Sequence, residues 1–193
     1  NSDKIFDINK LPKSILIIGG GYIAIEFASI FNGLGVDTTL CVRSDKILRG
    51  FDEQVVDFLI DEMKKKGVRF FFNTTLETVS KQNNKMIVKL NEHGDYKCDM
   101  ILAAIGRKTN IEKLSIDKTN VKLQSNNSII VNKFYQTFES NIFSIGDVID
   151  KIQLTPVAIK EAGILVNNLF SKKKISLNYK NVPTAVFANP NLA

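Results

Sequence analysis

An apolar run that ends in three consecutive glycines and passes at once into a helical pattern constrains this chain more than any other stretch. Residues 15–18 are Ile-Leu-Ile-Ile, the uninterrupted hydrophobicity of a parallel strand buried on both faces. Gly19, Gly20 and Gly21 break that run. A helix is predicted over residues 22–31, with Ile23, Phe27, Ile30 and Phe31 on one face and Ala24 and Ala28 as small steps; the turn at 32–35 stops it. The spacing Gly19-x-Gly21-x-x-Ala24 is the dinucleotide fingerprint with alanine in its third small position. The first glycine permits the tight turn and the second lets backbone N–H groups approach a pyrophosphate. The third small residue lets helix and strand pack closely. The helix start offers its free N–H groups and the positive end of its dipole to the phosphates.

The second strand, residues 36–42, bears on which nucleotide is bound. A site for NAD places Asp or Glu at its end to bond the ribose 2′-hydroxyl, whereas a 2′-phosphate needs cations. Here Cys41 and Val42 lead into Arg43, and Arg49 follows in the same loop; Asp45 is already past the strand. Guanidinium groups engage two phosphate oxygens at once, so Arg43 and Arg49 read as a 2′-phosphate clamp with Lys46 as an accessory, which selects NADPH. The alternative is a pair of solvated surface arginines.

With 193 residues, 44% of them hydrophobic, the chain can fill a sizeable core. It opens on Asn1 rather than Met and stops after a strand-like run, so a piece of a longer protein is expected. Neither a signal sequence nor a long apolar span stands out, which reads as a soluble, cytoplasmic origin with no membrane role. The net charge of +6 comes with lysine runs at 64–66 and 172–174, each at a predicted helix end where cations complement the dipole. No nucleic-acid motif accompanies them. Cys41 and Cys98 are far apart and form no CxxC or CxxxxC pair, and His93 lies in a turn, so no redox disulfide and no metal site is expected.

Residues 1–12 read as a linker anchored by Phe6, Ile8 and Leu11. Asp52 is placed to cap a helix reaching Lys66, with Val55, Val56, Leu59, Ile60 and Met63 as its apolar face and Gly67 closing it. A third parallel strand follows at 68–72. Short alternating runs over 75–97 suggest an antiparallel meander in place of a crossover helix, and 100–105 returns to a buried strand before Gly106-Arg107. Strands are also expected at 128–132, 142–145 and 182–187. Thr155 is expected to cap a helix running to Phe170, with Pro156 at its first position.

Taken together, Gly19-Gly20-Gly21-Tyr22-Ile23-Ala24-Ile25-Glu26, Leu48-Arg49-Gly50-Phe51-Asp52, Ala104-Ile105-Gly106-Arg107, Ile145-Gly146-Asp147-Val148 and Leu154-Thr155-Pro156-Val157-Ala158 form an ordered set. In it the chain resembles the flavin- and pyridine-nucleotide-dependent disulfide oxidoreductases over its whole length, and within them it is most similar to the glutathione reductase branch. The resemblance implies an α/β fold: a Rossmann-like NADPH-binding domain at 1–110 with a parallel sheet and an antiparallel meander, then part of the FAD-contacting central domain at 111–182. Residues 183–193 would open a dimer-interface domain.

The resemblance also implies roles for particular residues. Gly19, Gly21, Ile23, Arg43, Arg49, Gly106 and Arg107 would contact NADPH. Tyr22 would be the aromatic lid over the nicotinamide site, and Glu26 would pair with a lysine beside the flavin. Asp147 would bond the FAD ribityl chain, and the helix opened by Thr155 would aim its N–H groups at the flavin pyrimidine edge. The intact protein would be a homodimer reducing glutathione disulfide. The redox disulfide, the FAD adenosine-binding segment and the catalytic histidine lie outside these residues, so the chain alone is not expected to complete the reaction. Ala162-Gly163-Ile164 stand where some glutathione reductases carry an arginine, which other glutathione reductase branches and trypanothione reductase also lack. The alternatives are therefore trypanothione reductase, another FAD- and NADPH-dependent disulfide reductase, or a non-catalytic NADP-binding module.

Overall fold

The computed structural model describes residues 2–193. They form two compact units: one comprises the residues up to Gly106 together with Pro183–Ala193, the other Arg107–Val182. The chain thus leaves the first unit and later returns to it.

In the first unit the order is β1 (Ser14–Ile18), α1 (Tyr22–Gly33), β2 (Asp37–Cys41), α2 (Glu53–Lys65), β3 (Arg69–Phe71), β4 (Leu76–Gln82), β5 (Lys85–Leu90), β6 (Gly94–Cys98) and β7 (Met100–Ala103). Strands β3-β2-β1-β7 make an all-parallel sheet in that spatial order, and β4-β5-β6 make an antiparallel meander. Because the chain steps outward from β1 to β3 and then returns to β1's other edge, the sheet has a switch point between β1 and β7. In sheets of this kind ligands bind there, outside the carboxyl ends of the strands.

The parallel strands are apolar on both faces because both are covered. Ile15, Ile17, Leu40 and Leu102 enter the core shared with α1 and α2, whereas Leu16 and Cys41 enter a second core with Val88, Leu90 and Cys98 of the meander. The meander is held to the sheet by more than burial. The Tyr96 hydroxyl lies 2.8 Å from Thr39 Oγ1 and accepts from Arg69 at 3.0 Å, while Arg69 also pairs with Asp37 at 2.7 Å. His93 is exposed in its turn, as expected, but its ring stacks on Phe71 with centroids 3.9 Å apart.

Both helices end in the same way. At α1, Gly35 donates to the Asn32 carbonyl and Val36 to that of Phe31; at α2, Gly67 donates to Lys64 and Val68 to Met63. Each glycine has positive φ, and the residue after it is buried against the helix it has just left, the Schellman arrangement. Asp52 caps α2 as expected, accepting from the Gln54 and Val55 N–H groups at 3.0 and 3.2 Å. Replacing Asp52 with Ala is expected to lower stability by about 1 kcal/mol in urea denaturation with an unchanged slope.

Several expectations are corrected. The buried face of α1 is Ala24, Ile25, Ala28 and Phe31, whereas Ile30 is 48% exposed; close approach to the sheet selects the small residues. Val55 of α2 is exposed. At the amino end Ile5 is buried and Ile8 packs against the core, whereas Phe6 and Leu11 are exposed. The strand expected at 182–187 is a single bridge, Val186 to Leu192, whose residues join the first unit's core.

The second unit has one long helix, α3 (Thr155–Phe170), packed on a small core of Tyr135, Ile149 and Ile164. The strands expected at 128–132 and 142–145 are isolated bridges, Leu123 to Ile129 and Gln136 to Phe143. Side chains do the work of a ladder there. Asn132 accepts from the Phe134 and Gln136 N–H groups, and Asn126 from Ser128, which favours turns over extended pairing. Thr155 is the first helical residue rather than the cap; Leu154 holds the cap position without a side-chain bond, and Pro156 sits one place further in.

Candidate functional site

The glycine turn lies at the switch point. The Gly19 N–H donates to the Cys41 carbonyl at 3.0 Å, and the Ala104 N–H donates to the Ile18 carbonyl at 2.8 Å, so the turn is wedged between the ends of β2 and β7. Gly19 has φ +137°, and a Cβ there would sit 2.3 Å from the Ala104 carbonyl oxygen. Only glycine fits that position. Gly21 differs: its φ is −86°, and a Cβ would meet nothing within 4 Å. That open space is where a diphosphate can approach the backbone.

Gly21 caps α1 with no side-chain bond, so no side chain competes for the N–H groups of the first turn. The arginine loop is tied to this turn. The Leu48 N–H donates to the Gly20 carbonyl at 2.7 Å, and a Cβ on Gly20 would press on Val42 at 3.0 Å. Ile47 and Leu48 are buried beneath the loop while Arg43 and Arg49 stand exposed. Among the described residues neither arginine has an ion pair or a side-chain hydrogen bond. Lys46, read as an accessory cation, instead pairs with Glu53 at 2.6 Å. A cavity of about 180 Å³ opens beside Lys46, Arg49, Gly50 and Asp57.

The remaining site residues divide between the units. Tyr22, 43% exposed, and Ile23 begin α1. One turn further on, Glu26 Oε1 accepts from the Phe187 N–H at 2.9 Å. Gly106, with φ +133°, closes the run after β7. In the second unit Arg107 lies 3.7 Å from Asp147, which enters the short turn Gly146–Ile149, and Thr155 opens α3. Among the described residues no His, Cys, Asp or Glu cluster could hold a metal ion, and no helix is long and apolar enough to cross a membrane. Cys41 and Cys98 are buried free thiols, and burial pushes both up from the ordinary cysteine range.

Sequence reasoning passed over one residue of note, Glu161. It reads as an ordinary helix glutamate beside Lys160, yet it is 1% exposed. The signal was present: Val157, Glu161, Ile164 and Asn168 follow the 4-3-4 spacing of a buried helical stripe.

A parallel α/β sheet with a glycine turn at its switch point and a cationic loop bonded to that turn is the architecture of dinucleotide-binding proteins. The pyridine nucleotide-disulphide oxidoreductase family model matches residues 1–162, and the chain belongs to that family. It is 38% identical to a glutathione reductase of Burkholderia cepacia over 100% of its length, and 36% identical to the chloroplastic/mitochondrial glutathione reductase of Pisum sativum over 98%. It spans 43% and 35% of those two proteins, less than half of each. Among solved structures, the HOCl-induced flavoprotein disulfide reductase RclA of Escherichia coli superposes with a TM-score of 0.92 at 29% identity, covering 97% of this chain and 43% of that one.

Proposed function

We propose that the chain is the NADPH-binding portion, with part of the flavin-contacting central region, of an FAD- and NADPH-dependent reductase of glutathione disulfide that works as a homodimer. The observation that carries this reading is the bond from Leu48 to Gly20. It joins the open backbone at Gly21, where α1 starts without a side-chain cap, to a loop bearing two exposed arginines that have no ion pair among the described residues.

In this reading Gly19 and Gly21 shape the turn and the first N–H groups of α1 bind the diphosphate. Arg43 and Arg49 take the 2′-phosphate. Ile23, Gly106 and Arg107 line the rest of the nucleotide's path. Tyr22 shields the nicotinamide position from water. Glu26 keeps Oε2 for a cation while Oε1 holds the Phe187 amide. Asp147 accepts from sugar hydroxyls of the flavin nucleotide, and the uncapped start of α3 at Thr155 stabilises negative charge at the ring edge. When bound, the two cofactors supply hydride and electron transfer toward a disulfide.

Calorimetric titration of this chain is expected to show NADPH binding at least about tenfold more tightly than NADH, as one charge-assisted contact of roughly 1.5–3 kcal/mol requires. Equal affinities would remove the 2′-phosphate reading.

A further inference from the structure

The buried glutamate of α3 is the least expected group in the second unit. An ionised carboxylate removed from water is strongly destabilising unless its oxygens are bonded. Both oxygens of Glu161 are bonded. Oε2 accepts from the Gly146 N–H at 2.6 Å, and Oε1 accepts from the Tyr179 hydroxyl at 2.5 Å. The Tyr179 hydroxyl also lies 3.1 Å from that of Tyr135, and Lys151 Nζ stands 4.8 Å from the Tyr179 ring centre and 5.8 Å from that of Tyr135. Two separate segments, at Gly146 and Tyr179, therefore converge on one carboxylate, and Tyr135 joins them through Tyr179.

What the carboxylate grips is a backbone turn. Gly146 has φ +75°, and a Cβ there would touch Ala158 of α3 at 3.4 Å, so the turn lies close against the helix. The next residue is Asp147, half-exposed and facing Arg107. We propose that Glu161 is the positioning residue of the Gly146–Asp147 turn: by holding the Gly146 amide it fixes the backbone from which Asp147 presents its carboxylate to the hydroxyls of the flavin nucleotide. The second half of this statement rests on the function proposed above; the first stands on the geometry alone. Burial, and then the bond to Glu161, pushes the Tyr179 hydroxyl far above the usual tyrosine range. It therefore stays protonated and keeps donating to Oε1.

A glutamate that merely fills space is replaceable by any side chain of similar size. Glu161→Met keeps the length and removes the acceptor. Glu161→Gln keeps an oxygen for Gly146 and turns its NH₂ toward the Tyr179 oxygen. The test measures amide hydrogen exchange at Gly146 by NMR in the 193-residue chain, together with FAD binding by flavin fluorescence. In the unsubstituted chain the Gly146 amide is expected to exchange slowly; fast exchange overturns the proposal without any variant. Exchange is expected to accelerate about tenfold or more in Glu161→Met, which removes the acceptor, and to stay within about threefold in Glu161→Gln, whose neutral amide oxygen still accepts from the Gly146 N–H. A folded Glu161→Met protein with unchanged exchange at Gly146 overturns the positioning role.

FAD affinity is expected to fall in both Glu161→Met and Asp147→Asn. If Asp147→Asn lowers it while Glu161→Met does not, the link from turn to flavin is overturned. If FAD binds and no substitution moves its affinity, the flavin reading of Asp147 fails; the exchange at Gly146 decides the role of Glu161 whether or not FAD binds.

Discussion

Gly19→Ala is expected to lower the stability of the first unit by about 2–6 kcal/mol, a large share of the roughly 5–15 kcal/mol typical of a domain. Two effects add. The added Cβ would lie 2.3 Å from the Ala104 carbonyl oxygen and 2.9 Å from its carbon, both backbone atoms that cannot rotate away. Relieving such a contact shifts β1 or β7, and overpacking of this kind costs about 1–3 kcal/mol. The φ of +137° adds about 1–3 kcal/mol for a residue with a side chain. Gly21→Ala is the control, since nothing stands within 4 Å of its Cβ and its φ is ordinary. It is expected to change stability by less than about 1 kcal/mol while weakening NADPH, because the methyl group enters the proposed diphosphate space. Urea denaturation of both proteins decides the matter. A Gly19→Ala midpoint close to the parent's would show that the turn tolerates a side chain and that its closeness to Ala104 constrains nothing.

Replacing Arg43 and Arg49 together with Met is expected to weaken NADPH by about 3 kcal/mol, on the order of a hundredfold, and to leave NADH within about threefold. Each arginine contributes one charge-assisted contact, and their exposure puts each at the low end of its range. Among the described residues the two side chains have no ion pair or side-chain hydrogen bond to lose. The loop itself is held by its backbone, through Leu48 to Gly20 and Phe51 to Leu48, and by the burial of Ile47 and Leu48. The double substitution should therefore leave the fold intact. Calorimetry with both nucleotides separates the outcomes: a parallel loss of NADPH and NADH would point to the general positive field rather than a 2′-phosphate clamp.

The glycine turn and the ends of α2 were legible in the sequence because backbone geometry there dictates residue type. Gly19 must be glycine, Gly67 must accept positive φ, and Asp52 must accept the first free N–H groups of α2; each announces itself at a fixed offset. Hydrophobic periodicity failed at α1, where Ile23, Ile25, Phe27 and Ile30 put apolar residues all round the helix. There the tight approach to the sheet chose Ala24 and Ala28 rather than the larger side chains. The third meander strand, β6, falls almost wholly within the 75–97 span read as a meander, although Asp95 and Lys97 leave only Tyr96 and Cys98 as its apolar residues.

In the second unit the expected strands dissolved into bridges for a local reason: Asn126, Asn132 and Thr137 offer the backbone nearer partners than another strand does. Of the candidate site residues, Arg107 and Asp147 were assigned to different cofactors, and the fold sets them opposite one another. Pairing of that kind depends on two loops meeting and leaves no trace in spacing. Glu161 was hidden because composition treats a lysine–glutamate pair on a helix as surface; only its place in the buried stripe betrays it.

The departure of the chain at Gly106 and its return at Pro183 set an order for its synthesis. All strands of the first unit leave the ribosome before Pro183–Ala193, yet Val186, Ala188 and Leu192 belong to that unit's core, and the Phe187 and Asn189 amides donate to Glu26 and Ser29 of α1. Until that segment emerges, the nascent first unit carries an uncovered apolar seat and two unclaimed acceptors on α1. Completion of the unit is thus a late event in translation, deferred until the whole of Arg107–Val182 has been made.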